Sequence, residues 1–163
     1  MKRTAGGSVF RPPAGLRFGH RFATVAAMKV VFLMQDTRGW YGAEQATVRL
    51  AAGLAEAGVD VRALLLQEAR LGTGPSPLAD ALRERVPVTD VPVAGRFSRR
   101  AVARIREFMA RERADVLHAT GYKADWHAAL ASKNARLFPV VGTVHGWLFR
   151  WNTKTATKTN ILI

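Results

Sequence analysis

Five short apolar runs recur about every 25 to 30 residues, and each of the first four is followed by a stretch with helical spacing. KVVFLM (29–34) is the first run. After it Ala43, Ala46, Leu50, Leu54 and Ala57 fall at steps of three and four, which predicts an amphipathic helix with that seam buried. Gly58 stands where a helix of this kind stops. VDVRALLL (59–66) is the second run, and LGTGPSP (71–77) reads as a loop ending in Ser76-Pro77, a cap followed by proline at the first helical position. Leu78, Ala81 and Leu82 give the short second helix its buried side. VPVTDVPV (86–93) is the third run; Ser98 then caps a helix with the seam Val102, Ile105, Phe108 and Met109. The fourth run spans 115–118 and leads into a helix from Gly121 to about Ala135, and PVVGTVHGW (139–147) is the fifth strand with its exit loop. Parallel strands need long crossovers, and helices used as crossovers cover both sheet faces. The pattern therefore predicts an α/β fold, a Rossmann-like parallel sheet with helices on both faces.

The flanks read differently. Residues 1–27 hold Lys2, Arg3, Arg11, Arg17 and Arg21 with no acid, two adjacent prolines and no period. They are expected to be a disordered basic extension, a targeting segment, or upstream of a natural start at Met28. After Arg150 the Ala, Arg, Gly and Val vocabulary gives way to WNTKTATKTNILI. That shift predicts an unstructured tail over 151–163 and a break in the reading frame or the gene near residue 150, with a short disordered terminus as the alternative. The folded unit is expected over 28–150.

Composition removes several chemistries. Cysteine is absent, so disulfides and thiolate metal sites are excluded. Four histidines without a clustered carboxylate predict no metal site. No stretch is long and apolar enough for a membrane span, and a cytoplasmic protein is expected. The net charge of +13 raises the expectation of anionic partners. Arginines at 96, 99, 100, 104, 106, 111 and 113 gather around the third helix, where peripheral contact with an anionic membrane competes with a solvated helix flank. Without interleaved exposed aromatics, nucleic acid is not expected as a partner.

In open parallel sheets, ligands bind outside the carboxyl ends of the strands, where strand order reverses. The unusual residues fall there. Strand one exits into Asp36, Arg38, Gly39, Trp40, Tyr41 and Gly42; strand four into His118, Thr120, Gly121, Tyr122 and Lys123; strand five into Thr143, His145, Gly146 and Trp147. With strand order 3-2-1-4-5, strands one and four flank the switch point. Gly39 and Gly42 before a helix suit the approach of a phosphate, against the reading of a plain turn, and the spacing is neither a dinucleotide nor a Walker A signature. His118 and His145 are candidates for positioning a hydroxyl or acting as a base, against backbone-satisfied histidines. Lys123, supported by Asp125, is a candidate for an anionic substituent, against a solvated pair; Tyr122 and Trp147 are candidate apolar platforms for a sugar ring or base, against ordinary packing. No nucleophile elbow or catalytic cysteine exists, so covalent catalysis is unsupported.

Three segments in order, KVVFLMQDTRGWYGAEQATVRLAAGLAEAGVDV, ADVLHATGYKAD and FPVVGTVHGW, resemble the N-terminal domain of glycosyltransferase family 4, from Met28 to about Arg150. The resemblance implies the incomplete N-terminal half of a GT-B fold, in which two Rossmann-like domains face each other across a cleft. It implies retaining transfer from a nucleotide diphosphate sugar, as co-substrate, to a sugar or lipid-linked acceptor, with no further cofactor and usually no metal. On this resemblance Gly42 lies near the donor diphosphate and His145 near the reacting sugar, as the catalytic residue. His118, Gly121, Tyr122 and Lys123 form the acceptor side. The E-x7-E segment of the family's donor-binding domain is absent from the sequence, so this chain alone is expected to be inactive. A non-catalytic Rossmann-like module for an anionic ligand or protein partner is the alternative.

Overall fold

The computed structural model describes residues 28–72, 74–133 and 138–143. Among these residues five parallel strands form one sheet: β1 (Lys29–Gln35), β2 (Asp60–Glu68), β3 (Val88–Val93), β4 (Val116–Thr120) and β5 (Val140–Thr143). Their spatial order is β3-β2-β1-β4-β5, so the order reverses between β1 and β4. The crossovers are helices α1 (Gly42–Glu56), α2 (Pro77–Arg83), α3 (Arg99–Glu112) and α4 (Tyr122–Lys133). The Rossmann-like α/β expectation holds.

Because side chains alternate across a strand, each central strand feeds two cores. Val31, Leu33, Leu64, Leu66, Leu117 and Ala119 point to one face, where α3 and α4 bring Ile105, Phe108, Met109, Ala124 and Ala128. Val30, Phe32, Met34, Val61, Ala63 and Leu65 point to the other, under Ala51, Leu78, Ala79 and Leu82 of α1 and α2. This double burial is why β1 and β2 read as continuous apolar runs.

The helix signals are mostly realised as written. Ser76 and Ser98 cap α2 and α3, accepting from the amides of Ala79 (3.1 Å) and Ala101 (3.2 Å). Gly58 takes a left-handed φ of 87° just past α1. The whole predicted seam of α3 is buried. α1 is a correction. Of its expected seam, Ala46, Leu50 and Ala57 are exposed, and Glu44, Thr47, Ala51 and Ala52 are buried instead. The two polar members tolerate burial because they are bonded: Glu44 accepts from the Tyr41 amide and Thr37 hydroxyl, and the Thr47 hydroxyl donates to the Ala43 carbonyl. Among the described residues no helix is long and apolar enough to cross a membrane.

Candidate functional site

The switch point between β1 and β4 is where the sequence placed its chemistry, and the exits of both strands meet there. β1 leaves through Asp36, which is fully buried and accepts from the Arg38 amide (3.0 Å) and the Gln67 side-chain amide (2.9 Å). Arg38 has a left-handed φ of 61°, an uncommon state for a residue with a Cβ. Its guanidinium donates to the Gly72 carbonyl (2.9 Å), the Gly74 carbonyl and Gln67 Oε1 (3.2 Å), so the loop after β2 is folded back onto the exit of β1. The chain then turns through Gly39, Trp40 and Tyr41 into α1. Gly42 is its first residue, and a Cβ there would meet nothing within 4 Å. The N-terminus of α1 is therefore sterically open, with Trp40 and Tyr41 standing 41% and 70% exposed beside it.

β4 runs two residues further than expected, to Thr120, so His118 is a strand residue, not the end of one. It is buried; its Nε2 lies 2.6 Å from the Thr143 hydroxyl on β5, and its ring meets Phe32 edge-on at 4.7 Å. The corner itself is Gly121, whose φ of 89° excludes most side chains. Tyr122 follows as the first residue of α4, half exposed. His145 and Trp147 lie outside the described residues, as do the extension over 1–27 and the tail over 151–163.

Lys123 is not the solvated side chain weighed from the sequence. It is buried, with Nζ 2.5 Å from Glu68 Oε1 at the end of β2 and 3.0 Å from the Gly95 carbonyl it donates to. Glu68 also receives Arg70 and the Gln35 side-chain amide. Burial pushes the Glu68 carboxyl up, but the Lys123 ammonium and the Arg70 guanidinium overcome that and hold it below its ordinary value of 4.5. An ammonium so engaged ties three elements together and is not presented to a ligand.

One turn on, His127 is fully buried, with Nδ1 2.7 Å from the Lys123 carbonyl and Nε2 accepting from the Ser98 amide at 3.2 Å. Those two partners require a neutral ring protonated on Nδ1. Burial lowers its pKa, against the raising effect of the Lys123 carbonyl bond. Asp125 does not support Lys123. It is half-buried, desolvation raises its pKa, and its Oδ1 has no hydrogen-bond partner among the described residues. A Cβ at Gly142 of β5 would sit 3.4 Å from that oxygen, so the carboxyl lies against the β5 backbone.

The candidate residues thus separate. Gly42 and Tyr122 open α1 and α4, Gly121 turns the corner between β4 and α4, His118 lies buried in β4 against Phe32, and Lys123 is locked to Glu68. Glu68 and His127 were missed, and Arg38 was named at the strand-one exit without a role: nothing local in the sequence marks Glu68 as the partner of a lysine on another element. A groove of about 1060 Å³ was missed too, opening at the ends of β2 and β3 among Arg38, Glu68, Ser76, Asp90 and Arg100. Among the described residues no cluster of His, Asp or Glu is arranged to hold a metal.

Comparison with known structures agrees with the fold. Alr3699/HepE from Anabaena in complex with UDP superposes with a TM-score of 0.61 at 22% identity, over 82% of this chain and 33% of that one. Its complex with UDP and glucose gives 0.59 at 23% identity, over 82% and 33%. A glycosyltransferase from Rickettsia africae gives 0.60 at 16% identity, over 81% and 32%. The chain spans about a third of the length of these structures. No protein of curated function matches it. The profile of the glycosyl transferase 4-like domain matches residues 41–161, most of the chain. The chain belongs to the glycosyl transferase 4-like family.

Proposed function

We propose that this chain is the acceptor-side part of a glycosyltransferase that moves a sugar, with retention, from a nucleotide diphosphate sugar to a sugar or lipid-linked acceptor. The observation that supports this most is the open N-terminus of α1 at the switch point of a family-matched sheet. Gly42 carries no side chain there, and the amides of the first turn favour a diphosphate. Trp40, Tyr41 and Tyr122 give the mouth exposed rings suited to the apolar face of a sugar or a base. His118 positions the floor through Thr143, and His145 is the proposed residue at the reacting sugar. UDP in the Anabaena complexes makes a uridine nucleotide the first donor to try. Lys123 acts on the acceptor only through the corner it holds in place.

Transfer requires donor and acceptor to be fixed together in a closed site, so these 163 residues alone are proposed to bind without turning over. The test is an amide-resolved titration of isotopically labelled chain with UDP, UDP-glucose and simple saccharides, beside an assay for labelled sugar transfer. Shifts centred on Gly42, Gly121 and Tyr122 without transfer are expected. Saturation with no shift at those amides would sink the site assignment. Detectable transfer would sink the claim of inactivity.

A further inference from the structure

The described arginines fall into two populations. Arg38, Arg62, Arg70, Arg83, Arg106 and Arg111 are each held by an acidic or carbonyl partner. Arg49, Arg85, Arg96, Arg99, Arg100, Arg104 and Arg113 are exposed and have no such partner among the described residues, and four of these seven, Arg96, Arg99, Arg100 and Arg104, gather on the loop entering α3 and its first two turns. The placement is electrostatically unfavourable for the isolated chain. The start of a helix carries the positive end of its dipole, and α3 has no acid in its first turn to offset it. An external anionic surface removes that cost. A second, uncharged observation stands in the middle of the cluster: Phe97 is 49% exposed, its ring tilted over His127 at 5.6 Å. An exposed ring within a basic patch matches interfacial membrane binding, where the ring enters the headgroup boundary and guanidiniums meet lipid phosphates. Tracking a nucleic-acid strand takes several successive stacking platforms, and this patch has one.

We propose that Arg96, Phe97, Arg99, Arg100 and Arg104 form a docking surface for a membrane rich in anionic lipid. The surface is a subset of the arginines around α3: Arg106 is withdrawn from it, because its guanidinium donates to the Leu130 and Ala131 carbonyls of α4. Docking here lays the carboxyl edge of the sheet alongside the bilayer, since Lys123 and His127 tie Gly95 and Ser98 to the first turns of α4. The inference does not rest on sugar transfer; a chain that binds no nucleotide sugar would still dock.

The experiment is co-sedimentation of the full chain with phosphatidylcholine vesicles, with and without phosphatidylglycerol. Arg99→Glu/Arg100→Glu is compared with Arg49→Glu/Arg85→Glu, which changes net charge equally at two other exposed arginines. The first pair puts acids at the start of α3, where they favour the helix, so folding is preserved. Phosphatidylglycerol-dependent binding is expected to fall roughly tenfold or more for the first pair and less than about threefold for the second. Phe97→Ser is expected to remove the fraction of binding that survives high salt. Equal losses for the two pairs would overturn the proposal in favour of bulk charge. So would binding that ignores phosphatidylglycerol, or RNA binding through Arg99 and Arg100 without vesicle binding.

Discussion

The two sides of the switch point are built on opposite plans. On the α3/α4 side, Glu68, Lys123, Gln35, Arg70 and His127 form a hydrogen-bonded, largely buried cluster in which the ionised and tautomeric groups have partners. At the first turns of α1 and α4, by contrast, Trp40, Tyr41 and Tyr122 stand exposed beside Gly42, and the nearby Asp36 and Glu44 carboxylates are turned inward onto backbone amides. Charge is spent on holding the corner still, and the open half is left to rings and backbone amides. A titratable side chain at a strand end is thus no guide by itself to where a ligand goes.

Removing the lysine from the locked half gives the largest effect. Lys123→Met leaves Glu68 buried without its ammonium, and urea unfolding is expected to show a loss of about 3–5 kcal/mol. Adding Glu68→Gln should recover much of it, because no unpaired charge then remains. A single-variant loss below about 1 kcal/mol would mean that the two halves do not differ as described. His127→Leu comes next, at about 1–3 kcal/mol, since it leaves the Ser98 amide without its acceptor. Ser98→Ala, which removes the cap of α3, is expected to cost about 1 kcal/mol.

The pH dependence of stability sharpens the comparison further. His127 has a folded pKa below its unfolded value of 6.5, so the unfolded chain takes the proton first and stability falls as pH drops below about 6.5. Glu68 has a folded pKa below 4.5, so its contribution is present above that pH and is lost as pH falls through the folded value. His127→Leu should abolish the upper window and leave the lower one. Asp125 has the opposite sign: its raised pKa makes the ionised carboxylate a cost at neutral pH. Asp125→Asn should therefore stabilise the chain at pH 7 by less than a helix cap contributes, and the gain should vanish below about pH 3.8, where the carboxyl is protonated in both states. A neutral-pH loss in that variant would show that Asp125 has an ionic partner.

The sheet order, the serine caps and the α3 seam were legible because each depends on local pattern: period, capping chemistry, crossover length. The α1 seam was misread because Glu44 and Thr47 look solvent-facing until their partners, Tyr41, Thr37 and Ala43, are seen to satisfy them. Lys123 was misread for a related reason. Whether a lysine is solvated or buried depends on what another strand brings beside it, and Glu68 gives no local signal of that. Gly42, Gly121 and Tyr122 were legible as residues beyond the strand ends, because strand ends define the edge of any parallel sheet.

The bonds from Lys123 to the Gly95 carbonyl and from the Ser98 amide to His127 have a mechanical consequence. They bolt both ends of the Gly95–Ser98 bend to successive turns of α4, and Arg106 adds a third fastening near the far end of that helix. The bend and the helix α3 that follows it are thereby held to α4 at three points.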